Sequence, residues 1–171
     1  MRYSIRETRP EDAAAIIAYL RALTAETDIN VPLTPEEFTF TEQEERDYIQ
    51  AVLADPRRLM LVAVDEAGTI IGELSLNGSS RKALRHAVEL GISVRWDWRG
   101  RGVGSALLER AITWAQAGGL IKRIELRVYA RNAPAIALYR KFGFVEEGRR
   151  RAAVYQYGEY LDDLIMARLL E

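Results

Sequence analysis

The sequence contains no cysteine and a single histidine, His86, in 171 residues. Without thiols there is no disulfide, no thiolate nucleophile and no cysteine metal site, and one imidazole cannot build a histidine metal cluster. A metal is therefore not expected, and a Ser-His-Asp triad would rest on His86 alone. A basic excess is also missing: 24 Lys and Arg stand against 25 Asp and Glu, for a formal charge of -1. Non-specific affinity for nucleic acid comes mostly from surplus cations neutralising phosphates, so nucleic acid is not an expected partner. No apolar run approaches the ~20 residues that span a bilayer, and residues 1–10 are charged where a signal peptide would be apolar. A membrane is not expected as a partner either, and the cytoplasm is the expected location.

What is present suits one globular domain over 1–171, with 49% of residues hydrophobic. Residues 2–6 predict a short strand. Thr8-Arg9-Pro10-Glu11 matches a capping box, and Ala13, Ile16, Ile17, Leu20 and Leu23 follow at helical spacing. Residues 24–40, with Pro32 and Pro35, lack a period and predict a loop. Thr41-Glu42-Gln43-Glu44 is a second capping box, followed by Tyr48, Ile49, Val52 and Leu53 and ended at Pro56. Residues 59–64, 69–76 and 86–94 predict a meander of strands. In the third, Val88, Leu90, Ile92 and Val94 share one face and Glu89, Gly91 and Ser93 the other. A helix over 102–117, a strand over 123–128, a helix over 133–141 and two strands over 144–153 and 160–167 complete the chain. The turn between the last two falls at Tyr157-Gly158-Glu159. The expected fold class is α/β (α+β): a mixed, mostly antiparallel sheet of about six to seven strands with about four helices on its faces.

The most informative segment is Arg99-Gly100-Arg101-Gly102-Val103-Gly104-Ser105, between a strand and a helix. Glycines let backbone amides approach a phosphate, and the helix N-terminus adds partial positive charge. Arg99 and Arg101 add cationic donors. The plainer reading is a turn that merely needs glycine. A P-loop would require Gly-Lys before Ser or Thr, which does not occur, and a dinucleotide fingerprint would require glycine where Ser105 stands.

Ile92-Ser93-Val94 followed by Arg99-Gly100-Arg101-Gly102-Val103-Gly104 resembles the acyl-CoA motif of the GNAT superfamily of N-acetyltransferases. A second stretch, Asn132-Ala133-Pro134-Ala135-Ile136-Ala137-Leu138-Tyr139-Arg140-Lys141-Phe142-Gly143-Phe144, is similar to that superfamily's asparagine-helix-tyrosine-Gly-Phe signature. The resemblance covers nearly the whole chain and implies acetyl-CoA as co-substrate and a sheet with a central splay. It implies that pantetheine lies in the splay against the main chain of Ile92, Ser93 and Val94. It further implies that the diphosphate sits on Arg99, Gly100, Arg101, Gly102, Val103, Gly104 and Ser105, with Asn132, Ala135 and Tyr139 also in contact. Asn132 is equally explained as a helix N-cap. Tyr139 resembles the family's general acid for the departing thiolate, against a plain core role beside Ile136 and Phe142. Glu89 resembles the carboxylate that deprotonates the amine, against a solvent-facing glutamate paired with an arginine such as Arg127. His86 reads as structural.

The implied reaction is direct acetyl transfer to a primary amine, the carbonyl oxygen being polarised by main-chain N–H groups near Val94. Residues 24–40 and 149–160 would form the acceptor side. There Arg149, Arg150, Arg151, Tyr155, Tyr157 and Tyr160 could hold a carboxylate and an apolar side chain. The end of the chain resembles branches acting on free amino acids and similar small amines. Glu36, Glu37, Glu42, Glu44 and Glu45 could instead serve a polyamine. The expected partner is a small-molecule amine, with room for a homodimer. The alternatives are a protein N-terminal, ribosomal-protein-like acetyltransferase and a non-catalytic acyl-CoA-binding module.

Overall fold

The computed structural model describes residues 2–27, 29–37 and 39–171. Along these the elements are β1 (Tyr3–Glu7), α1 (Ala13–Thr24), α2 (Glu42–Leu53), β2 (Leu59–Asp65), β3 (Ile70–Gly78), β4 (Ala87–Val94), α3 (Val103–Gly118), β5 (Arg123–Tyr129), α4 (Ala133–Lys141), β6 (Val145–Gln156) and β7 (Glu159–Leu169). The order is the one the periodicities predict. Among the described residues the strands form one seven-stranded sheet in the order β1-β2-β3-β4-β5-β7-β6. Every neighbouring pair is antiparallel except β4 with β5.

That parallel pair is short. It comprises Ala87 with Arg123, Val88 with Ile124 and Glu89 with Glu125. Beyond Glu89, β4 pairs only with β3, whose register runs on to Gly72 opposite Val94, while β5 continues on β7 as far as Tyr129 opposite Asp163. The sheet is therefore split into two halves joined at one end. This is the expected splay.

Two apolar layers cover the sheet. Leu59, Leu61 and Ala63 of β2 and Leu74 and Leu76 of β3 pack with Val103, Leu107, Leu108, Ala111 and Ala115 of α3. Met60, Val62 and Val64 of β2 point the other way, onto Ala13, Ile16 and Tyr19 of α1 and Ile49 and Val52 of α2. A strand buried on both faces reads as a continuous apolar run, which is why residues 59–64 show no alternation.

Two local expectations are corrected. Thr8 does not cap a helix: its hydroxyl donates to the Met60 carbonyl at 3.2 Å, as its amide does at 2.9 Å. Both groups are committed to the sheet edge, so the chain turns through Pro10–Asp12 with Asp12 Oδ2 accepting from the Arg9 amide at 2.8 Å. The second box forms as expected, with Glu44 N donating to Thr41 Oγ1 at 3.2 Å and Thr41 N to Glu44 Oε2 at 2.8 Å. The final hairpin is longer than expected. Tyr157 and Gly158, at φ +56° and +77°, make a two-residue turn, and β6 passes a bulge at Ala152, φ +50°.

Candidate active site

The glycine-rich segment lies at the open end of the splay. After β4 a short turn, Trp96–Trp98, leads to Gly100 at φ +72° and Gly102 at φ +84°. These left-handed conformations suit glycine and swing the chain into α3. Gly102 caps α3 without any side-chain bond, and the first intrahelical bond is Ala106 N to Gly102 O at 3.0 Å. The amides of Val103, Gly104 and Ser105 thus have no partner within the helix, as in any first turn, and Gly102 has no side chain to supply one. Gly104 has a different duty: a Cβ there would stand 3.3 Å from Leu138 Cδ2, so glycine lets α3 lie close to α4.

Of the two arginines of this segment, Arg99 turns back, its Nε donating to the Val94 carbonyl at 2.8 Å and its Nη2 to Glu26 Oε2 at 2.5 Å. Arg101 lies over the Trp98 ring at 5.5 Å. Arg99 thereby fixes the loop that leads into α3.

Within the splay, Ile92 and Val94 belong to the stretch of β4 that has no β5 partner. Asn132 Oδ1 accepts from the Ala135 amide at 3.3 Å, so its capping role is real. Tyr139 is buried and packs on Phe144 with ring centres 5.9 Å apart. Its hydroxyl makes no hydrogen bond among the described residues, yet no buried side-chain oxygen there lacks a partner, so this oxygen must reach accessible space. Burial pushes the phenol up to about 12, which keeps it protonated at neutral pH. A split strand pair, a glycine-opened helix start without a cap and a protonated phenol together fit acetyl-CoA.

The opposite face of the sheet, under α1 and α2, carries the polar side chains of β3 and β4. Glu73 stands opposite Ser93, Ser75 opposite Gly91 and Asn77 opposite Glu89. Glu89 meets Arg127, the alternative partner read from the sequence, whose Nε donates to Glu89 Oε1 at 2.9 Å with both side chains about half exposed (48% and 53%). With Glu125, Leu126 and Ile165 this pair lines an open recess of about 240 Å³ where the splay closes. The Tyr19 and Ser93 hydroxyls share a bond of 3.0 Å. Arg149 and Arg150, expected as acceptor ligands, are engaged by Asp162 and Asp163 at 2.8 Å each. Tyr155 and Tyr160 stack on each other at 5.0 Å, both exposed.

A segment from the α1–α2 connection is fastened to both halves of the split sheet. Glu26 accepts from the Trp96 amide at 3.1 Å and from Arg99, behind β4. On the far side, Ile29 N donates to the Tyr157 hydroxyl at 3.0 Å, and Gln156 Nε2 donates to the carbonyls of Val31 and Leu33 at 3.2 and 3.3 Å. Gln156 is itself held by Tyr129 at the end of β5, at 2.8 Å. Two residues went unsingled in the sequence, Gln156 and Glu73. For Glu73 the signal existed, an acid inside the apolar run Ile70-Ile71-Gly72-Glu73-Leu74, the same anomaly that marks Glu89.

A mixed sheet split beside an uncapped helix start is the architecture of an enzyme that takes an acyl group from coenzyme A. Comparison with known proteins fixes the family. The model of the acetyltransferase (GNAT) family matches residues 23–144, and the chain belongs to that family. The L-amino acid N-acetyltransferase AaaT of Escherichia coli is 39% identical over 121 residues, 70% of this chain and 74% of its own. A GNAT-family acetyltransferase of Streptococcus pneumoniae superposes with a TM-score of 0.94 at 34% identity, covering 99% of this chain and 100% of its own. A phosphinothricin acetyltransferase of Sinorhizobium meliloti, solved with acetyl-CoA, gives 0.84 at 26% identity over 99% of this chain and 89% of its own. The chain is an acetyl-CoA-dependent N-acetyltransferase.

Proposed function

We propose that the acceptor is a small amine bearing a carboxylate, of the amino-acid type, and that the reaction is direct acetyl transfer in the cytoplasm. The observation that carries this reading is the Arg127–Glu89 pair, an opposite-charge pair half exposed in a recess where the splay closes. Glu89 fixes the guanidinium, and a guanidinium binds a carboxylate with two parallel bonds. The relative named for L-amino acids supports the same class. When bound, acetyl-CoA supplies an activated acetyl group on a thiol that leaves readily. The amides of 103–105 hold its diphosphate and the main chain of Ile92 and Val94 holds its arm. Tyr139 donates the proton that the sulfur gains as the C–S bond breaks. The resemblance gives Glu89 the amine's proton; its bond to Arg127 gives it the task of fixing that guanidinium.

The test is kcat/KM for thiol release with free amino acids, their carboxamides, polyamines and short peptides. Amino acids should exceed their carboxamides by about tenfold or more, the loss of one charge-assisted contact of ~1.4 kcal/mol. Equal values for acid and amide, or peptides preferred tenfold, would remove the amino-acid reading.

A further inference from the structure

We propose that Glu73 receives the acceptor's ammonium and takes the proton that frees the attacking amine. The proposal rests on the acceptor reading above and goes to a residue on β3 that neither of the chain's two family motifs contains.

Position comes first. Glu73 lies on the strand next to the splay and is paired in register with Ser93, past the point where β4 loses β5. Its face is the one covered by α1 and α2, since its other cross-strand neighbour, Val62, packs in that layer. Arg127 lies two residues past the last β4–β5 pair, on the other side of the splay, and its guanidinium reaches back to Glu89. Glu73 stands further toward the open end, beyond the level of that pair.

Surroundings come second. Protein packs densely around the carboxylate, yet part of the residue stays accessible. No hydrogen bond or ion pair engages it among the described residues, and no side-chain oxygen there is both sealed and unpartnered. The carboxylate therefore has no protein partner of its own and keeps contact with accessible space. Glu89, by contrast, already holds Arg127 through its Oε1. A half-buried carboxylate that the fold leaves without a donor is costly, and a site that awaits an ammonium accounts for it.

Charge comes third. The charged group acting on Glu73 is Glu45 of α2, and Tyr19 of α1 feels the charge of Glu73 together with those of Glu26 just beyond α1 and Arg99 behind β4; in register, β4 adds Ser93 and β2 the apolar Val62. Burial, and then the negative charge of Glu45, push Glu73 up to about 7. Burial raises Glu45 and Tyr19 as well. A base that titrates near the working pH is the efficient one for proton transfer. The step balances. The ammonium gives one proton to a Glu73 oxygen, the freed lone pair forms the C–N bond, the bonded nitrogen sheds its second proton to solvent as the amide forms, Tyr139 protonates the sulfur as the C–S bond breaks, and Glu73 and Tyr139 restore their protonation with solvent.

The experiment is the pH dependence of kcat/KM for thiol release with L-methionine at saturating acetyl-CoA. The wild type should show an acidic limb with a midpoint of about 7. Glu73→Gln should lose that limb and fall by about 10²–10⁴-fold, with acetyl-CoA affinity by calorimetry unchanged, while Glu73→Asp should keep the limb at a lower rate. Glu89→Gln should keep the limb whatever its rate. Thermal unfolding gives a second readout. The folded-state value lies above the ordinary 4.5, so the contribution of Glu73 to stability is complete below that value and is lost as pH rises through about 7. Glu73→Gln should therefore gain on the wild type as pH rises across this window. A limb that persists in Glu73→Gln, a limb lost in Glu89→Gln instead, or lost acetyl-CoA affinity in Glu73→Gln overturns the proposal. A wild type that acetylates neither L-methionine nor L-phenylalanine, whether or not it acetylates spermidine, overturns the acceptor reading with it, and is recognisable because no variant is then needed.

Discussion

Tyr139 shows how a single residue can satisfy two readings at once. Its ring is core, packed on Phe144, and its hydroxyl reaches accessible space. Burial raises the phenol to about 12, so it holds its proton through the neutral range and contributes no titration there. Tyr139→Phe keeps the ring and removes only the donor. The fold and the acetyl-CoA affinity should survive, because neither the cradle amides nor the packing changes. Turnover should fall by about 10²–10⁴-fold, the usual worth of a positioned acid. Stopped-flow measurement of the chemical step, with calorimetry for binding, checks both halves. Wild-type chemistry in Tyr139→Phe would assign the thiolate's proton to solvent. Asn132 is similarly double, since its carboxamide oxygen is spent on the Ala135 amide while its other end is not needed for capping.

At the scale of the element, the start of α3 is the proposed seat of the diphosphate. Gly102→Asp is an informative change because its effects on helix and ligand have opposite signs. Aspartate is a good N-cap and its charge suits the macrodipole, which offsets the strain of a side chain at φ +84°. The same carboxylate would occupy the anion site. Acetyl-CoA should bind at least ~10-fold more weakly, about 1.4 kcal/mol, in a protein whose melting temperature changes little. Unchanged calorimetric affinity in the folded variant would move the diphosphate elsewhere. Elements were legible in the sequence wherever period and punctuation agreed, as in α4, read as 133–141 and found as Ala133–Lys141. They were misread where tertiary contacts redirect a polar group. Thr8 looks like a cap, but its hydroxyl serves the Met60 carbonyl on β2. The Ala152 bulge carries no glycine to mark it, so β6 was expected to end near it rather than run on to Gln156.

The molecule as a whole is a sheet that separates into two halves, and a wedge of that kind needs a tie at its open end. Three β4–β5 register pairs hold the closed end. Across the open end, the segment after α1 is anchored to Arg99 and Trp96 on one half and to Gln156 and Tyr157 on the other. The family resemblance implies an acceptor side formed by residues 24–40 and 149–160 but does not join them, because the bond from Gln156 to Val31 spans 125 positions with no periodic signal. The acid Glu73 was visible as an anomaly, yet only the sheet order shows that its strand borders the splay. The tie should govern the acceptor and not the acetyl donor, since it bridges the face of α1 and α2 and leaves the first turn of α3 alone. Tyr157→Phe removes the hydroxyl that accepts from the Ile29 amide at 3.0 Å and keeps the ring in place. Loss of one such bond costs about 0.5–1.5 kcal/mol, so the acceptor's KM should rise about 2–10-fold. Acetyl-CoA affinity should stay within about twofold, because backbone amides outside the tie supply it. Gln156→Ala, which releases Val31, Leu33 and the Tyr129 hydroxyl together, should raise the acceptor's KM further in the same direction. Should either variant weaken acetyl-CoA binding and leave the acceptor's KM untouched, the segment would be a brace for the cradle rather than a wall of the acceptor site.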